Sequence, residues 1–171
     1  MKNGRLIALS ALSTALGVVF LVIGAYFPTF ELSALFTASL TVMIPLSKNS
    51  YKSAFLSYVA TALLAFVFAV SRFHMSVLFI AFFGLHPIIN YFQLKSVKNL
   101  WFLYVIKCIW FLGVCFLMFY LFSMFIVEHE LIVKILPIVI IFIGTLFFIV
   151  YDFIMIRFQK MAMHIVKRLG L

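Results

Sequence analysis

The fold is decided by the stretch WFLYVIKCIWFLGVCFLMFYLFSMFIV, residues Trp101–Val127, in which Lys107 is the single charged residue. A helix needs about 20 predominantly apolar residues to cross the hydrocarbon core of a bilayer, and this run exceeds that length. Backbone in lipid must be helical or part of a closed barrel, because lipid offers no hydrogen-bond partners. Barrel strands are about ten residues of alternating polarity, a pattern this run lacks. It therefore predicts a membrane-spanning helix.

The rest of the chain repeats this apolar pattern. Of the 171 residues, 67% are hydrophobic and 10% are charged, whereas a soluble domain has about 25% charged residues. The composition excludes a soluble globular protein, and the length leaves no room for an extramembrane catalytic domain. Residues 1–158 are thus predicted to form an all-α integral membrane protein, a polytopic bundle of about six transmembrane helices. The spans are expected at 6–27, 30–46, 54–70, 77–92, 101–127 and 131–156.

The positive charges predict the orientation of this bundle. Net charge is +9, but the basic residues form no run, so the predicted partner is the lipid bilayer and not nucleic acid. Cytoplasmic loops of membrane proteins carry an excess of Lys and Arg. A cytoplasmic N-terminus leaves Arg72 as the only basic residue in the outer loops, with Lys107 and Lys134 inside spans. Both termini are therefore expected in the cytoplasm, in a multi-pass protein of the plasma membrane. The inner side then holds Lys2, Arg5, Lys48, Lys52, Lys95, Lys98, Arg157, Lys160, Lys167 and Arg168.

Residues 157–171 are expected to form a basic amphipathic tail at the cytoplasmic interface. Basic side chains recur there at spacings of three and four, which places them on one helical face. Such a face binds anionic lipid. The residues are Arg157, Lys160, His164, Lys167 and Arg168.

Two charged residues lie inside predicted spans at similar depth, Lys107 and Asp152. An isolated charge at the bilayer centre costs about 2.5–3.5 kcal/mol on insertion scales, and an opposite charge at equal depth offsets part of this cost. The two side chains are expected either to pair, or to separate, with Lys107 reaching the headgroups and Asp152 meeting Arg157 or water.

The fourth span contains the most polar stretch at membrane depth, with Gly84, His86, Pro87 and Asn90. Proline leaves a backbone carbonyl without its helical donor and glycine permits close approach, so a kink is expected. His86 and Asn90 either satisfy this kink or line a pocket, since irregular backbone at this depth is tolerated where it is buried in protein or borders a cavity.

Small residues are concentrated in the first three spans. Helices gain contact in lipid mainly by close approach through such residues. Two interpretations are open for the alanines of the first span: they pack inside the bundle, or they are presented to a separate membrane subunit. The alanines concerned are Ala8, Ala11 and Ala15.

No motif for catalysis, metal binding or a cofactor is found. The chain has no glycine-rich phosphate loop, zinc-binding helix motif or nucleophile elbow. Cys108 and Cys115 are too far apart along one helix for a disulfide. We therefore predict a non-enzymatic protein without a metal or cofactor.

The stretch from Arg5 to Leu16, RLIALSALSTAL, within a short six-span chain, resembles the substrate-binding S component of energy-coupling factor transporters. In that family an alanine pair like Ala11 and Ala15 faces a coupling membrane subunit that works with ATPases. The resemblance implies that the N-terminal helices, with Ala8, Ala11 and Ala15, dock on this subunit. It also implies that the later helices and outer loops bind a vitamin-like small solute.

The residues expected at such a solute site come from breaks between spans on the outer side, together with one aromatic wall residue. Each is equally open to interpretation as an ordinary solvated loop residue. They are Arg72, His74, Tyr120, Glu128, His129, Glu130 and Lys134, with Glu31 beside them.

A non-catalytic scaffold of the bacterial envelope, with no transported ligand, is the alternative function. Neither the solute nor the oligomeric state is defined by the sequence.

Overall fold

A computed structural model describes the backbone of residues 2–96, 100–126 and 130–168. Side chains are described for 4–70, 72–95, 101–121, 135–164 and 168. The α-helices are α1 (Lys2–Tyr26), α2 (Glu31–Thr41), α3 (Met43–Leu46), α4 (Tyr51–Phe68), α5 (Phe73–Leu78), α6 (His86–Ser96), α7 (Leu100–Ile126), α8 (Glu130–Val139) and α9 (Thr145–Arg168). Short 3₁₀ segments cover Pro28–Phe30 and Val70–Arg72, and π-helical segments cover Phe79–Phe83 and Ile140–Gly144.

Six helical segments are long and apolar enough to cross a membrane, and no strand occurs in the described ranges. The prediction of an all-helical chain with six such segments is confirmed. Their bounds are Gly4–Tyr26, Pro28–Leu46, Tyr51–Phe68, Phe73–Lys95, Trp101–Leu121 and Ile135–His164. The last segment continues without a break into the basic residues that were predicted to form a tail, because α9 runs to Arg168.

The chain divides into two compact units, of which the first comprises residues 1–96 and 155–171. Within it α1 packs against α2 and α4. Glycine makes these close contacts possible. A Cβ on Gly17 would lie 2.8 Å from Thr61 Cγ2, and one on Gly24 would lie 2.5 Å from Ala34 Cβ. The first three spans therefore pack through small residues, as close approach in lipid requires.

Hydroxyl groups join the same helices. Ser13 Oγ donates to the carbonyl oxygen of Thr41 at 2.7 Å, and Ser57 Oγ donates to that of Ser10 at 3.1 Å. Interhelical hydrogen bonds of this kind contribute about 0.6 kcal/mol each in a measured membrane protein. The face of α1 that bears Ser13 and Gly17 is thus turned into the first unit.

The fourth span is irregular before Pro87. α5 passes into the π-helical segment Phe79–Phe83, where the Gly84 amide donates to the Phe79 carbonyl at 2.8 Å. A new α-helix then begins at His86, so Pro87 occupies its first turn, where a missing amide hydrogen costs least. The irregularity expected from the Gly84–Pro87 stretch is therefore a π-helical segment and a turn.

The second unit comprises residues 97–154 and is packed by aromatic rings. The Phe111 ring lies 6.1 Å from that of Phe147 and 5.5 Å from that of Phe148, and the Tyr104 ring lies 5.6 Å from that of Phe148. Proline lies within α8, at position 137, and the π-helical segment Ile140–Gly144 follows. This unit is packed by large side chains, in contrast to the small-residue packing of the first.

Candidate functional site

Three charged or titratable side chains that come from different breaks meet at one end of the first unit. Glu31 begins α2, Arg72 ends the second 3₁₀ segment and His74 lies in the first turn of α5. The Arg72 guanidinium donates to Glu31 Oε1, and His74 Nε2 lies 3.3 Å from Glu31 Oε2. We call these three residues the Glu31 cluster.

The side chains of the Glu31 cluster are polar and partly accessible to solvent. Its side chains are between 24% and 34% exposed, so they can exchange their contacts with one another for contacts with a solute. The Glu31 carboxylate supplies hydrogen-bond acceptors, and the Arg72 guanidinium and the His74 imidazole beside it can supply donors. Charge-assisted hydrogen bonds of this type are shorter and stronger than neutral ones. The arrangement suits a small polar solute that carries a carboxylate or a cationic group.

Of the remaining residues expected at the solute site, only Tyr120 has a described side chain. Tyr120 lies in the second unit with 63% of its surface exposed. Glu128 and His129 lie outside the described residues, as do the side chains of Glu130 and Lys134. Glu31, Arg72 and His74 are thus the members of the predicted set that the described structure brings together.

The chain matches none of the family models, curated proteins or solved structures with which it was compared.

A buried ion pair lies within the second unit. Lys107 Nζ donates to Asp152 Oδ1 at 2.5 Å, and the two side chains are 2% and 0% exposed. The ammonium group also lies 5.7 Å from the centre of the Tyr104 ring. Of the two arrangements that the sequence left open, the structure has the ion pair, in which each charge meets an opposite charge away from solvent.

Buried polar side chains surround the start of α6 in the first unit. His86 Nδ1 and Asn90 Nδ2 lie 3.4 Å apart, and the His86 ring lies 5.0 Å from that of Phe82. Gln159 Nε2 donates to the Pro87 carbonyl at 3.3 Å. Gln159 was not singled out from the sequence, because it lies between Arg157 and Lys160 in the segment that was predicted to be a basic interfacial tail. The Gln159 amide thus gives the Pro87 carbonyl a donor, and the Asn90 amide lies beside His86, next to the irregular backbone.

A fourth feature is an exposed face on α1. The side chains of Ala8, Ala11 and Ala15 are exposed, whereas every other alanine of the chain is buried or half-buried. We call these three residues the alanine face. Ser13 and Gly17 occupy the opposite, inward side of the same helix, so the alanine face lies away from their contacts with α2 and α4. Its first residue, Ala8, also lines a cavity beside Arg5.

No group of His, Cys, Asp or Glu side chains suited to a metal ion occurs in the part of the chain that the structure describes. Cys108 and Cys115 are free thiols, each half-buried.

Proposed function

We propose that the protein is a multi-pass subunit of the plasma membrane that binds a small, vitamin-like solute and depends on a separate membrane subunit with ATPases. This is the role of the S component of an energy-coupling factor transporter. The solute would bind at the outer end, and the partner subunit would dock on the first helix.

The alanine face carries this proposal. Large apolar side chains contact lipid as favourably as they contact protein, so their exposure on a membrane helix does not drive a second helix to bind. Small residues differ, because they let two backbones approach closely and gain van der Waals contact. All alanines of the chain are buried or half-buried except the three that share one face of α1. A partner helix seated on this face would complete the packing.

The Glu31 cluster supports the binding half of the proposal. Its three side chains are partly exposed and come from both breaks that flank the second and third spans at that end. The chain itself has no nucleotide-binding motif, so an energy-dependent step would require ATPases in trans.

The proposed orientation puts both termini in the cytoplasm and the Glu31 cluster outside. It is supported by a cavity that Arg5 of α1 and Lys48 share with Phe158 and Met161 of α9. The start of α1 and the C-terminal part of α9 therefore lie side by side, with basic residues around them. Cytoplasmic segments of membrane proteins carry an excess of Lys and Arg, which favours a cytoplasmic location for this end.

Purification from the native host tests the proposal. A tagged chain at native expression would be isolated in mild detergent, and the retained proteins and small molecules would be identified by mass spectrometry. We expect a membrane protein, ATPases and a solute with the wild type. The Ala11→Leu/Ala15→Leu variant should lose the partner proteins, because bulky side chains prevent close approach.

The matched control is Leu63→Phe/Val67→Phe, which enlarges two exposed positions four residues apart on α4. It should retain the partners. Loss of the partners in both variants, or retention in both, would contradict docking through the alanine face. Wall-assembly or division proteins without ATPases would favour the scaffold function instead.

A further inference from the structure

The end of the first unit opposite the Glu31 cluster contains a cavity of about 570 Å³. This volume lies within the range of about 300–1,000 Å³ typical of small-molecule sites. The walls are formed by apolar side chains from the start of α1, the end of α2, α3 and α9. They include Leu9, Leu40, Met43, Ile44, Phe158 and Met161.

Two cations also line this cavity, Arg5 and Lys48. They come from segments that are distant in sequence, the first turns of α1 and the loop after α3. Among the residues that the structure describes, no acidic side chain lines the cavity and no carboxylate pairs with either cation. The hydroxyl of Ser47, which also lines the cavity, adds a further polar group. The site is therefore apolar along its walls and positive where Arg5 and Lys48 lie.

We propose that this cavity binds an anionic phospholipid, with an acyl chain along the apolar wall and the phosphate between Arg5 and Lys48. The two parts of the cavity match the two parts of such a lipid. Basic pockets between transmembrane helices on the cytoplasmic side bind anionic headgroups in this way.

Charge complementarity distinguishes this occupant from others. A zwitterionic lipid brings its own cation beside Arg5 and Lys48, and a second copy of this chain brings the same two cations to face them. An apolar partner helix would fill the walls and leave both cations without a counter-charge. Anionic lipid alone satisfies both the walls and the cations. The proposal requires neither the solute nor transport, although Ala8 of the alanine face also lines this cavity.

The test compares phosphatidylglycerol with phosphatidylcholine of identical acyl chains. Each lipid is titrated into the purified full-length protein in detergent, and the bound lipid is counted by native mass spectrometry. A basic residue near anionic lipid contributes about 1 kcal/mol, which is about fivefold in affinity. We expect the wild type to prefer phosphatidylglycerol for the first bound lipid. Arg5→Gln/Lys48→Gln should lower this preference by at least about fivefold.

The control is Lys52→Gln/Lys160→Gln, which removes the same charge from two exposed side chains outside the cavity lining. It should keep the preference of the wild type. A second variant, Ala162→Phe, fills the cavity while retaining both cations and should lower the occupancy of the first phosphatidylglycerol. Leu63→Phe, on the exposed side of α4, is its control.

Equal binding of the two lipids by the wild type would overturn the proposal. So would an equal loss of preference in both charge variants, which would indicate attraction to the basic surface in general. Full occupancy in Ala162→Phe would exclude the cavity as the site, as would a lipid-free dimer that covers it.

Discussion

Lys107 Nζ lies 2.5 Å from Asp152 Oδ1, and both side chains are almost wholly buried within residues 97–154. The pair joins α7 to α9 across a segment otherwise packed by aromatic rings. Burying two charges has a desolvation cost that their attraction roughly repays, so such a pair adds little net stability. Removing one partner is different, because it breaks the Lys107–Asp152 contact and leaves the other charge buried.

We therefore expect Lys107→Met to lower the free energy of unfolding by about 3 kcal/mol or more, and Asp152→Leu to do the same. The double variant should be less destabilised than either single variant, since it leaves no charge behind. Thermal unfolding in detergent measures the difference. Additive losses in the double variant would exclude a direct energetic coupling between the two residues.

Gly24 should tolerate no side chain. A Cβ there would lie 2.5 Å from Ala34 Cβ, an atom fixed to the backbone of α2. Gly24→Ala should force α1 and α2 apart and lower the free energy of unfolding by about 1–3 kcal/mol. Gly113→Ala is the matched control, because nothing lies within 4 Å of its Cβ position. It should raise stability by up to about 1 kcal/mol. Equal unfolding temperatures for the two variants would contradict the close packing of α1 on α2.

Glu31→Gln should expose Arg72 without unfolding the protein. The three side chains of the Glu31 cluster are partly exposed, so the lost ion pairs should change stability by at most about 1 kcal/mol. Arg72 should then react faster with phenylglyoxal, which is measured on the Arg72 peptide by mass spectrometry. Thr29→Val, at a neighbouring exposed position, should leave the rate unchanged. An unchanged rate in Glu31→Gln would mean that the carboxylate does not cover the guanidinium in solution.

Cysteine labelling tests the orientation. In a background with Cys108 and Cys115 replaced by Ala, an impermeant maleimide should label Thr29→Cys on intact cells. It should label Gly4→Cys only after permeabilisation, because the basic end is expected inside. Both positions are exposed. The opposite pattern would reverse the assignment of the Glu31 cluster to the outer side.

The helices were predictable because bilayer thickness sets a physical minimum for an apolar run, which residues 101–127 clearly exceed. The meeting of Glu31 with Arg72 and His74 also followed from the alternation of spans, since every second break returns to the same side. Depth along a helix comes directly from residue count, which is why Lys107 and Asp152 were expected at one level.

Rotation about the helix axis was not predictable to the same degree. A periodic stripe indicates a distinct face but not the neighbour that this face contacts, so the alanine face remained open between internal and external packing. Two other features form between helices that are remote in sequence, and a single sequence does not indicate that these helices meet. They are the contact of Gln159 with the Pro87 carbonyl and the cavity beside Arg5. The π-helical segment Phe79–Phe83 left no periodic signal, because one extra residue in a turn barely alters an apolar pattern.

Photo-cross-linking from the alanine face is the most direct test of the central claim, that a separate membrane subunit docks on α1. A photoreactive amino acid would replace Ala11 in native cells, with Leu63 of α4 as the comparison position. We expect a specific adduct with another membrane protein from position 11 and none from position 63. No adduct from position 11, or an adduct only with a second copy of this chain, would contradict the claim.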